Sequence, residues 1–147
     1  MKIARKYGAL TLLGLISYFL LIEALGLGDV IYLRFFNLLI LSVGIFAGIN
    51  QFKKYSEKPF TYLRGLRKGM QITITAVLPF VVFLFVYLEF IDPELATNIT
   101  RLLGEFFNAI TISAVAGLEG MFSGIGISYA CMQFLKQPRE KTAFQRD

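Results

Sequence analysis

The chain has 147 residues, 56% of them hydrophobic, with fifteen phenylalanines, no histidine and a formal net charge of +5. Globular chains run at about 45–50% apolar, and a domain this small cannot hide such an excess from water. Composition therefore excludes an ordinary water-soluble fold and makes lipid the solvent for most of the chain. The lack of histidine also leaves no imidazole base and removes the commonest ligand of metal clusters.

The first apolar span is about Tyr7–Leu27, with Glu23 near its far end. It starts basic, at Lys2, Arg5 and Lys6, as a secretory signal does. Its apolar run is too long for a signal core and no A-x-A-like site follows, so an uncleaved anchor is expected. The turn Gly26–Val30, with Gly26, Gly28 and Asp29, is short enough to make spans one and two antiparallel neighbours. Span two is about Ile31–Phe52, with Arg34 near its start. Gly44 and Gly48, one helical turn apart, mark a helix-packing face.

In the loop Lys53–Lys68, Pro59 suits a helix start. Tyr62, Leu63 and Leu66 follow it, set among Arg64, Arg67 and Lys68. The pattern predicts a short interfacial helix leading into span three. Span three is about Gly69–Ile91. Pro79 near its middle removes a donor and clashes with the carbonyl of Thr75, which predicts a kink; Thr73 and Thr75 can supply local hydrogen bonds. Asp92-Pro93-Glu94 is a helix N-terminus signature, predicting a short amphipathic helix on the outer surface within Asp92–Glu105.

Span four is about Phe106–Leu135. Ala116, Gly120, Gly124 and Ser128 recur at every fourth position, a small-residue stripe that lets two helices approach closely. The packing is expected within one subunit or, in its sharper form, between two. Cys131 on the same span reads as a small packing residue.

Each span meets the roughly 20 residues a helix needs to cross a hydrocarbon core. The expected fold is all-α: an integral membrane four-helix bundle forming a single transmembrane domain over residues 1–147, with a polar tail Gln137–Asp147. Lys and Arg number three before span one, six in the loop after span two and four in the tail, so thirteen of fifteen fall on one side. By the positive-inside rule both termini are expected in the cytoplasm. The basic surplus is then topology plus attraction to anionic lipid heads, and nucleic acid is not expected. Phe35-Phe36-Asn37 and Phe106-Phe107-Asn108 open spans two and four alike. A parallel repeat of two hairpins about an axis along the membrane normal is one reading, and chance likeness of Phe-rich segments is the other.

Glu119 lies near the middle of span four, with no other charge until Lys136. A carboxyl at that depth costs at least a few kcal/mol and marks a candidate site. The chain offers no second ionisable group at matching depth. Ser17, Tyr18, Ser42 and Thr75 lie at matching depth on the other spans, and Ser123 lies beside Glu119 on its own. The expectation is a neutral acid pointing into the bundle and donating to a hydroxyl or carbonyl. The first functional reading is a non-catalytic membrane protein acting as a structural, assembly or interaction unit. The second is a small oligomeric transporter or channel with Glu119 as a protonatable or cation site. The expected partners are the lipid bilayer and a homo-oligomer or partner membrane protein. No cofactor is expected.

Several segments carry a family likeness. Tyr62-Leu63-Arg64-Gly65-Leu66-Arg67-Lys68-Gly69 enters span three and Phe90-Ile91-Asp92-Pro93-Glu94 leaves it. A Gly/Ser-rich segment, Ala116–Gly126, then leads to Gln133-Phe134-Leu135-Lys136. The chain resembles a family of small bacterial four-helix inner-membrane proteins known as a domain of unknown function. The resemblance implies location and architecture, no activity and no catalytic residue.

Overall fold

A computed structural model of the chain describes residues 2–27, 31–56 and 60–135. Five α-helices follow in order: α1 Lys2–Ala24, α2 Arg34–Tyr55, α3 Tyr62–Val86, α4 Pro93–Leu103 and α5 Ala109–Leu135. All but α4 are long and apolar enough to cross a membrane, as the four spans require, and the protein is a multi-pass membrane protein. Of the sequence expectations, those on Gly28, Asp29 and Pro59 and on the tail 137–147 lie outside the described residues.

The helix ends follow from local chemistry. Gly26 stops α1 in the left-handed conformation at φ 68°. Its N–H donates to Glu23 O at 2.9 Å, and the Leu27 N–H donates to Ile22 O at 3.0 Å, which together close the helix with the two bonds of a Schellman motif. Asp92 Oδ1 accepts from the Leu95 N–H at 3.1 Å, with Pro93 in the first turn, so α4 begins where the sequence signature places it. Asn108 Oδ1 accepts from the Thr111 N–H at 2.8 Å and caps α5.

Two features differ from the sequence reading, the start of α3 and a π-helical turn at its far end. Tyr62, Leu63 and Leu66 belong to the first turns of α3, so the separate interfacial helix is absent. Gly65 and Gly69 let those turns pack against Met132 and Ser128 of α5, and this tertiary contact carries the helix straight on. Pro79 lies inside α3 and is exposed. A further irregularity sits at Tyr87–Ile91, a single π-helical turn closed by the Asp92 N–H donating to Tyr87 O at 2.9 Å. Such turns leave no distinct sequence signal and recur at functional sites.

Packing places α3 at the centre, the most enclosed of the four spanning helices. Along the α3–α5 seam, Val81 stands against Gly117, Val77 against Gly120, Thr73 against Gly124, and Gly69 against Ser128. Each glycine removes the atom that would collide: a Cβ at Gly120 would lie 3.1 Å from Val77 Cγ1, and one at Gly117 2.8 Å from Val81 Cγ2. Helix α1 packs on α2 through Thr11 against Gly44 and Tyr7 against Gly48, and on α3 through Gly8 against Thr75. Ile45, Ile49, Ile72 and Met132 fill the core nearer the basic ends. Phe80, Leu84, Leu88 and Leu95 fill it nearer the acidic ends. There Phe19 sets its ring edge-on to Phe80, Phe83 and Tyr87, with centroids 6.5, 5.9 and 5.0 Å away.

The helices therefore stand in the ring order α1, α2, α5, α3, with α2 touching α3 across the short diagonal. A two-fold axis along the membrane normal relating hairpin α1–α2 to hairpin α3–α5 requires α1 and α3 at opposite corners. They are neighbours, so that axis is absent.

Candidate functional site

Three hydroxyls near Glu119 in depth are tied to their own or the neighbouring chain segment. Ser42 Oγ donates to Leu38 O at 2.7 Å, and Thr75 Oγ1 to Gln71 O at 2.7 Å. Both bonds run back four residues along the same helix, the usual arrangement for a hydroxyl in an apolar helix. Tyr18 OH donates to Leu33 O at 2.9 Å, joining α1 to the start of α2. Ser17 is exposed on the outside of α1.

Glu119 itself is exposed, and it has no hydrogen bond or ion pair with any described residue. The expectation of a carboxyl clasped inside the bundle is thus corrected. The physical reason is angular. The small stripe takes the face of α5 that meets α3, with Gly120 and Gly124 pressed on Val77 and Thr73. A residue one position before Gly120 is turned about 100° away from it, which carries its side chain out of the seam.

What lies beside Glu119 is a cleft of about 120 Å³. Helices α2 and α5 are joined at their basic ends, where Lys53 Nζ donates to Leu135 O at 3.1 Å. Toward the acidic ends the cleft lies among the helices, walled by Tyr18 and Glu23 of α1, Asn37 and Leu41 of α2 and Ala116, Glu119 and Ser123 of α5. Its back is apolar, built on Phe80 and Leu84. A space of this size is comparable with engineered apolar cavities of about 150 Å³ that admit benzene. Glu119, being both exposed and cleft-lining, stands on the rim.

The cleft brings together only part of the polar set read from the sequence. Tyr18, Ser123 and Glu119 line it; Ser17, Ser42 and Thr75 do not. Asn37 of α2 lines it as well, and its Oδ1 is enclosed without a hydrogen bond from any described residue. The residues of the two packing motifs divide differently. Gly44, Gly48, Gly120, Gly124 and Ser128 meet neighbouring helices of the same chain, and Ala116 borders the cleft.

The outer face of α5 carries a glycine that the four-residue stripe does not include. Gly126 is exposed, and a Cβ built on it meets nothing within 4 Å. Ala130 and Phe122 are exposed near it, Phe122 at 73%. The available signal was that Gly126 falls out of step with the four-residue spacing of the inner stripe. Elsewhere among the outer acids, Glu89 and Glu94 are exposed, and Asp92 caps α4. Among the described residues, no three of His, Cys, Asp and Glu gather as a metal set would.

No curated protein and no solved structure matches the chain. The model of one family, described as "Protein of unknown function (DUF4199)", matches residues 6–121. That match spans well over half of the sequence, and the chain belongs to the DUF4199 family.

Proposed function

We propose that the protein is a non-catalytic integral membrane protein that works by contact within the bilayer, as an assembly or interaction unit. The observation that carries this reading is Glu119: an acid near the middle of a spanning helix, on the outside of its own bundle, with no described partner in the chain. Exposure of a carboxyl to hydrocarbon is costly by a few kcal/mol. A protein contact that supplies a hydrogen bond removes that cost, so the outer face of α5 is where a partner belongs.

On this reading the chain sits in a bacterial inner membrane with both termini in the cytoplasm. Support comes from the basic residues, which gather at the ends of α1, α2 and α3 that lie together. Reporter fusions at the two termini test the orientation, and activity of a periplasm-only reporter at either end overturns it.

One observation favours a second reading, an oligomeric transporter or channel. The cleft runs from Glu119 along the acidic half of the bundle, where a protonatable group could be reached from one side. Proton or cation flux into proteoliposomes separates the two. The interaction reading expects no flux that depends on Glu119. A flux abolished by Glu119→Gln overturns it.

A further inference from the structure

From the outer face of α5 we infer that the partner is a second copy of this chain, packed α5 against α5 about a two-fold axis along the membrane normal, with each copy completing the other's cleft. This rests on the interaction reading above and names its partner.

The geometry begins on the helix itself. At 100° per residue, Gly126 and Ala130 lie within about 20° of the line through Glu119. All three are exposed. Gly126 has open space where a Cβ would stand, unlike Gly117, Gly120 and Gly124, each of which meets an α3 side chain. The face thus combines close approach with an acid that has no described partner.

Two properties of the acid select a copy of the same chain. No Lys or Arg of this sequence lies within span four near the depth of Glu119, so the chain carries no opposite charge to place there. A carboxyl that carries a proton both donates and accepts, so two copies of one acid at equal depth can hydrogen-bond to each other. Copies inserted with one topology run parallel. A two-fold axis along the normal then sets Glu119 facing its counterpart at equal depth, as an isologous contact requires.

The cleft supplies the independent observation. Ser123 and Ala116, which line it, lie about 40° and 60° to one side of the Glu119 line, and Phe122 about 60° to the other. Across a two-fold axis, one flank of each helix meets the opposite flank of its partner. Phe122 of one copy therefore faces the cleft of the other, at the depth of Glu119 to Ser123. Phe122 is 73% exposed in the single chain. Its ring matches a space on the scale that holds benzene, and Glu119, Gly120 and Ser123 of α5 line that space. The partner copy contributes a side chain to a site that is incomplete without it.

Cysteine cross-linking of the full chain in membranes tests this. In a Cys131→Ala background, Gly126→Cys and Ala130→Cys are expected to give disulfide dimers on mild oxidation. Leu118→Cys, about 100° round the helix, is expected to give none. Phe122→Ala is expected to weaken the dimer roughly tenfold or more in vesicles. Equal cross-linking at Leu118→Cys and Gly126→Cys, or a dimer indifferent to Phe122→Ala, overturns the inference. A monomeric protein with no Glu119-dependent flux overturns the dimer and leaves the interaction reading standing, whereas a Glu119-dependent flux in a cross-linked dimer does the reverse.

Discussion

The two faces of α5 carry the same residue types to different ends. On the inner face, Gly117, Gly120 and Gly124 are each met by a side chain of α3. On the outer face, Gly126 meets nothing, and Glu119, about two turns away on the same face, has no described partner. Glycine in a membrane helix permits close approach, and the surroundings decide whether the approach is made. Where a neighbour stands, the glycine is a packing contact already formed. Where none stands, the same chemistry leaves a place for one.

The largest effect that breaks this comparison belongs to the inner face. Gly124→Leu drives a side chain into Thr73 of α3, on the most enclosed helix. It should destabilise the bundle by about 3 kcal/mol or more, read as loss of cooperative unfolding in detergent or collapse of membrane yield. Near-normal stability would mean the α3–α5 seam is looser than its geometry.

A smaller effect concerns the acidic end, where Asp92 caps α4 and Leu95 of that helix packs beside Leu88 and Phe80. Asp92→Ala removes one cap hydrogen bond and should cost about 1 kcal/mol, with Asp92→Asn restoring most of it. Equal loss for both variants in the same unfolding assay would assign Asp92 a role other than capping.

Much of the fold was legible because a bilayer leaves few options. Four apolar stretches of helical length, alternating with basic and acidic connections, admit few structures other than a bundle. The Asp92-Pro93-Glu94 signature fixed the start of α4 by local hydrogen bonding alone. The continuation of α3 from Tyr62 was not legible, because it depends on Gly65 and Gly69 meeting Met132 and Ser128, contacts distant in sequence. The π-helical turn at Tyr87–Ile91 arises from a one-residue shift in hydrogen bonding, to which hydrophobic periodicity is blind. The candidate site was half legible. Glu119 stood out by charge alone. Its direction depended on which face of α5 the α3 seam occupies, and Asn37, which lines the same cleft, came from α2, reached only through the ring order of the helices.

The smallest intrachain effect is the most informative. Gly126→Leu places a side chain in open space, so the unfolding midpoint of the single chain should move by less than about 0.5 kcal/mol. The account's central claim is that the outer face of α5 is met by another copy. Native mass of the wild-type and Gly126→Leu proteins in a mild detergent measures it directly. The account predicts a dimer for the first and a folded monomer for the second. A wild-type monomer, or a Gly126→Leu protein that remains dimeric, would contradict it.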